Sequence, residues 1–211
     1  MIDLILVGAG GYAREIYEYI IKAINKISPT YNVLGAIDDN LHALDGKQTD
    51  IKILGTIKDW KVKGDEKYVM AIASPKLKQD ISHLMDKKGA DFASLMHPRF
   101  YCCSGAKYGR GLIAYGGAGL GPDVKVGDFV TILSTGLGHD VQVDDYSTIS
   151  SCCGINGNVH IGKRVFIGGH ACIAPSIKIG DDAFVCLGSV VVTHVKKETR
   201  VLGNPARKIE F

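Results

Sequence analysis

The sequence has no apolar run near the roughly 20 residues that cross a bilayer. Its longest, Ile2 to Val7 and Ala183 to Val192, fall far short, and no basic stretch precedes the first. The expectation is a cytoplasmic protein with no membrane span. Cys-x-x-Cys spacing is missing, and no His stands at zinc-ligand distance from a Cys. The six cysteines, among them the adjacent pairs Cys102-Cys103 and Cys152-Cys153, are therefore expected to be buried free thiols, with no metal site. Charge of either sign is also scarce in excess. The formal value is +3, and no basic stripe alternates with aromatics, so nucleic acid is not an expected partner. The one basic cluster, Lys196, Lys197, Arg200, Arg207 and Lys208, reads as solvated surface. With 46% hydrophobic residues in 211, what remains is a soluble globular chain of one large or two small domains.

What is present is a strict period. From Val143 onward every sixth residue is Ile or Val: Ile149, Ile155, Ile161, Ile167, Ile173, Ile179, Val185 and Val191 follow in turn. Neither a helix nor an ordinary strand has that period, so the chain must turn a corner every six residues and return an aliphatic side chain to one interior edge. The next residue is often compact (Gly162, Gly168, Ala174, Gly180), as expected of a bend. The residue four places on is small or β-branched (Ser147, Cys153, Val159, Val165, Ala171, Ile177, Ala183, Ser189). Three sides make a coil of eighteen residues, and stacked coils make a β-solenoid. Upstream the phase runs through Ile132, Val126, Leu120, Ala114 and Tyr108. It slips by one residue at Leu137, beside Gly138-His139-Asp140, and a break in a strict pattern is where function is expected.

Before the repeats the pattern is different. Asp3 to Val7 is a short apolar strand, Gly8-Ala9-Gly10-Gly11 a glycine turn, and Ala13, Ile16, Tyr17, Ile20, Ile21 and Ile24 lie on one helical face. A second strand, Val33 to Ile37, ends in Asp38-Asp39. A third, Tyr68 to Ala73, precedes a helix with Leu77, Ile81, Leu84 and Met85 inward. This is a small parallel α/β unit ending near His97-Pro98, giving domains 1–97 and 98–211. Gly8-x-Gly10-x-x-Ala13 fits the dinucleotide fingerprint, but the unit has room for only one mononucleotide-binding half.

The hexapeptide repeat, the Gly138-His139-Asp140 motif, Gly154-Ile155-Asn156-Gly157-Asn158-Val159 and the closing Leu202-Gly203-Asn204-Pro205-Ala206-Arg207 together resemble the NeuD/PglD-type sugar O- and N-acetyltransferases. The resemblance runs the whole chain. It implies a Rossmann-like N-terminal domain followed by a left-handed parallel β-helix, assembled as a homotrimer whose active sites are each built from two chains. It implies acetyl-CoA-dependent acetylation of an amino or hydroxyl group on a sugar or nucleotide sugar in bacterial glycan biosynthesis. On this resemblance His139 is the catalytic base, Asp140 orients it, and the Gly157 N–H stabilises the oxyanion. Gly168, Gly169, Ala174 and Pro175 line the coenzyme groove, with Arg207 and Lys208 at the coenzyme's phosphates. Gly8, Gly10 and Gly11 stand at the phosphates of the nucleotide sugar, and Asp38 and Asp39 near its nucleoside.

The chain departs from that group at two positions. Many members have His after the double glycine, where this chain has Tyr12. The N-acetylating branch has a second His where this chain has Thr148, which leaves N- and O-acetyl transfer equally open. Two other classes of function are compatible with a solenoid. One is a non-catalytic nucleotide-binding scaffold using the solenoid as a trimerisation stalk. The other is a metal enzyme like the γ-class carbonic anhydrases, disfavoured because His139, His160, His170 and His194 occupy unlike phases of the repeat.

Overall fold

The computed structural model describes residues 1–210. Five strands, β1 (Ile2–Val7), β2 (Tyr31–Ile37), β3 (Ile53–Gly55), β4 (Lys67–Met70) and β5 (Asp91–Phe92), form an all-parallel sheet in the order β3-β2-β1-β4-β5. Alternate residues of β1 serve two cores. Leu4 and Leu6 pack with Ala13, Ile16 and Ile20, whereas Ile5 and Val7 pack with Met70, Met85 and Phe92. The first helix, α1, is made of the consecutive segments Gly11–Glu15, Ile16–Ile21 and Lys22–Ile27. Its middle segment is a π-helix whose wider turn buries Ile16, Ile20 and Ile21 together.

The second helix, α2 (Pro75–Lys87), opens with Pro at its first position, where no backbone N–H is needed. Of the residues expected to face inward, Met85 is buried and Ile81 and Leu84 pack against the same core, while Leu77 is exposed; Lys78 and Ser82 are buried beside them on a second side of the helix. The second buried side follows from packing, because α2 lies between its own sheet and the solenoid. β3 and β5 were not expected. Each has only two or three residues and is defined by its neighbour rather than by its own pattern.

Three parallel sheets wind the rest of the chain into a triangular prism. The first face carries Leu95–Met96, Ile113–Ala114, Thr131–Ile132, Thr148–Ile149, Phe166–Ile167, Phe184–Val185 and Arg200–Gly203. It is closed by the antiparallel strand Ala206–Ile209, which covers the last edge. The second face runs from Tyr101–Cys102 to Val190–Val191 and the third from Lys107–Tyr108 to Lys178–Ile179. Leu95–Met96 already pairs with Ile113–Ala114, so the chain passes from one sheet system to the other within Ala93-Ser94. All nine aliphatic residues from Val143 to Val191 are buried in one continuous core, as are their partners four places on. Tyr108, in phase with them, is 43% exposed because the first coil has no coil beneath it.

The left-handed backbone conformation recurs three residues after the aliphatic one, not at the compact residue next to it. Asp123, Phe129, Asp140, Tyr146, Cys152, Asn158, Arg164, His170, Ser176 and Asp182 all have φ between 54° and 64°. This costs non-glycine residues of order 1 kcal/mol each, offset where the side chains stack from coil to coil, as Phe129 does on Tyr146 (5.7 Å, 8°). The compact residue answers a different need. At Gly180 a Cβ would run into the backbone of Lys197 in the next coil.

The phase slip also has a specific place. The offset between paired strands is eighteen residues through most of the solenoid; it is seventeen where the pairing spans the corner Leu133-Ser134-Thr135, as for Thr131 with Thr148 and Leu120 with Leu137, and sixteen at the last coil, where Phe184 pairs with Arg200. The missing residue therefore lies one corner before His139, and the Gly138-His139-Asp140 corner has ordinary length. Free thiols are as expected, but only Cys153 and Cys186 are buried. Cys102, Cys152 and Cys172 are exposed, because they point outward from strands or sit at corners.

Candidate active site

His139 stands on the vertex between the second and third faces, just after strand Gly136–Leu137. Its Nδ1 lies 2.8 Å from Asp140 Oδ2, so the neutral ring carries its proton on Nδ1 and keeps Nε2 as the acceptor. The backbone fixes this pair. Asp140 is in the left-handed conformation with its N–H donated to Pro122 O, and His139 O accepts the N–H of Asn158 from the coil above.

His139 Nε2 lies directly over Gly157, where any Cβ would overlap the imidazole. The Gly157 N–H has no acceptor among the described residues, while its carbonyl receives Ser176 N–H. The corner thus presents a ring nitrogen acceptor and a fixed backbone donor side by side. The imidazole is 60% exposed and open to a large substrate. Ala174 and Pro175 continue the same vertex one coil higher. Gly168 and Gly169 lie at the opposite end of strand Cys172–Ile173, on the neighbouring vertex. Arg207 and Lys208 are on the terminal hairpin of the first face, Lys208 paired with Glu210.

The glycine turn is elsewhere. Gly8 (φ 102°) is pressed against Ala71 and Ile72, while Gly10 opens α1 with free space around its Cα. The carboxyl ends of β1 and β4, followed by Gly8–Gly11 and Ala71–Ser74, form the topological switch point of the sheet, the place where an open α/β sheet offers a ligand crevice. Asp38 accepts the N–H groups of Ala9 (2.7 Å) and Asn40 (2.8 Å), so it shapes the turn itself, and Asp39 accepts Lys58 N–H. Sequence reasoning passed over Arg14, whose guanidinium lies next to Gly11 and whose Nε is buried without a partner among the described residues. It also passed over Lys78, which no motif marks.

The α/β unit sits on the first face. Tyr12 stacks on Tyr115 (6.2 Å) and Tyr115 donates to Glu15. Arg110 forms a bidentate pair with Asp86, and Phe92 meets Phe129 edge to face. Thr148 belongs to this seam. Its hydroxyl donates to Ala73 O (2.8 Å), and it lies on the first face rather than at the His139 vertex of the same chain.

Residues 3–85 match the model of the PglD N-terminal domain. Over the whole length, the structure is similar to the acetyltransferase domain of PglB from Neisseria gonorrhoeae, solved in complex with acetyl coenzyme A (21% identity, 98% of each chain, TM-score 0.86). It is equally similar to PerB from Caulobacter crescentus in complex with CoA and GDP-perosamine (22% identity, 99% and 97% of the two chains, TM-score 0.86). The chain has the fold of these structures, an α/β unit followed by a left-handed β-helix. WeeI from Acinetobacter baumannii shares this fold (22% identity, 99% of this chain and all of that one, TM-score 0.79). Among curated proteins, a putative acetyltransferase of Staphylococcus aureus is 32% identical over 53 residues. The chain covers 27% of that relative's length.

Proposed function

We propose that this protein is an acetyl-CoA-dependent acetyltransferase acting on an amino or hydroxyl group of a sugar or nucleotide sugar. The observation that carries the reading is the His139 corner: Asp140 on Nδ1, with Nε2 free over Gly157, whose N–H is unused. In the reaction His139 Nε2 removes the acceptor's proton as its O or N bonds to the thioester carbon. The carbonyl oxygen becomes an oxyanion facing the Gly157 N–H. Collapse of the tetrahedral centre breaks the C–S bond, and the imidazolium returns its proton to the departing thiolate. One fixed backbone donor of this kind is typically worth about 3 kcal/mol in the transition state, and a positioned base contributes roughly 10²–10⁴-fold.

The nucleotide part of the acceptor binds at the switch-point crevice, with Gly10, Gly11 and Arg14 at its phosphates and the turn held by Asp38. That PerB is solved with a nucleotide sugar and CoA together supports this assignment. The acetyl donor runs along the vertex from Gly157 past Ala174 and Pro175. Because the α/β unit covers the first face and His139 stands on the opposite vertex, an acceptor held by one chain must reach the His139 of another. This supports a homotrimer with shared sites.

Calorimetric titration of acetyl-CoA into the wild type and His139→Ala tests the reading. Micromolar binding by both, followed by acceptor turnover that the variant lacks by at least 100-fold, is the expected result. A well-folded protein that does not bind acetyl-CoA sinks the transferase and leaves the nucleotide-binding scaffold.

A further inference from the structure

Lys78 is 1% exposed and lies in the seam between α2 and the first face of the solenoid. Its three N–H donors meet three neutral acceptors: Thr131 Oγ1 at 3.1 Å, Thr148 Oγ1 at 3.0 Å and Ser147 O at 3.3 Å. No carboxylate pairs with it among the described residues. A buried cation without a counter-charge is a costly filler for a seam that Met or Leu would close more cheaply. Its partners suggest what it secures. Thr131 also accepts the hydroxyl of Tyr12, which follows Gly10-Gly11 in the glycine turn, and Thr148 donates to Ala73 O, which leads out of β4. Thr131 and Thr148 are register partners on adjacent coils. The two walls of the switch-point crevice are thus each tied to one rung of the solenoid, and the rungs are tied to each other through one ammonium group.

We infer that Lys78 is a positioning residue for the acceptor crevice, holding the glycine turn through Thr131 and Tyr12 and the β4–α2 connection through Thr148 and Ala73. This rests on the reading of that crevice as the acceptor site. The test is amide hydrogen exchange on the unliganded protein, read at Ala9 and Arg14 on one wall and at Ala71 on the other, with acetyl-CoA binding measured in parallel. Lys78→Met is expected to speed exchange at both walls tenfold or more, leaving the strands from Thr148 to Ile173 within twofold. Thr131→Val is expected to loosen only the glycine-turn wall and Thr148→Val only the Ala71 wall, while Thr131→Ser and Thr148→Ser keep wild-type protection. The two valine variants carry the test if Lys78→Met does not fold. Unchanged walls in every variant overturn the inference. So does acceleration spread evenly over the solenoid, which assigns the cluster to stability alone. Acetyl-CoA binding that persists while the walls stay unchanged defeats only this inference; its absence in the wild type defeats only the transferase reading.

Discussion

Lys78 also ties stability to pH. Burial pushes its ammonium down to about 7, against 10.5 in the unfolded chain. Between those values the unfolded chain holds a proton that the folded chain has lost, so stability rises with pH across that window, and the destabilising contribution is complete only below it. From pH 7 to 8.5 the wild type is expected to gain about 1.6 kcal/mol relative to Lys78→Met, from one proton's linkage. Denaturant melts at the two pH values check this, and parallel curves would exclude it. Burial holds the hydroxyl of Tyr12 above the ordinary tyrosine range, and Tyr115 follows for the same reason with Tyr12 and Glu15 adding to it, so neither titrates in this window. At the proposed catalytic corner, Gly157→Ala is expected to cost as much activity as His139→Ala, because the methyl occupies the place of the imidazole. Turnover in both variants, with acetyl-CoA binding retained, checks it.

At the level of the element, two solenoid corners are closed by groups that periodicity does not specify. Ser147 donates to Gly162 O (2.7 Å) and accepts Val165 N–H (3.0 Å) while fully buried, and Thr135 makes the equivalent bridge between Ser150 O and Cys153 N–H. Ser147→Ala leaves a buried donor and acceptor unmatched, and about 2 kcal/mol of stability should be lost; equilibrium unfolding measures it. The same contrast explains what could be read from the chain beforehand. The aliphatic period located the interior edge because burial of Val143 to Val191 is dictated locally, coil by coil. Most of the inward face of α2 was legible as well, in Ile81, Leu84 and Met85, but its seam side was not. Leu77 satisfies the helical pattern, but the seam accepts Lys78, and its acceptors are 53 to 70 residues away in sequence. The His139 corner was visible as a motif, whereas the short corner before it, being a missing residue, appeared only as a displaced period.

For the whole molecule, the separation of crevice and vertex predicts complementation. A chain carrying His139→Ala and another with Gly10→Val, each inactive alone, are expected to regain up to about a quarter of wild-type turnover when co-assembled at random in a closed ring. A shared site pairs the intact His139 of one with the intact turn of the other. No recovery in verified mixed assemblies would mean that each site lies within one chain.

The placement of the α/β unit across the prism from His139 has a kinetic consequence. If the machinery is completed only by a neighbour, specific activity becomes a function of protein concentration, governed by the assembly's dissociation constant. Dilution then acts as an inhibitor: turnover per chain falls off more steeply than linearly below that constant and returns on reconcentration, with no residue altered.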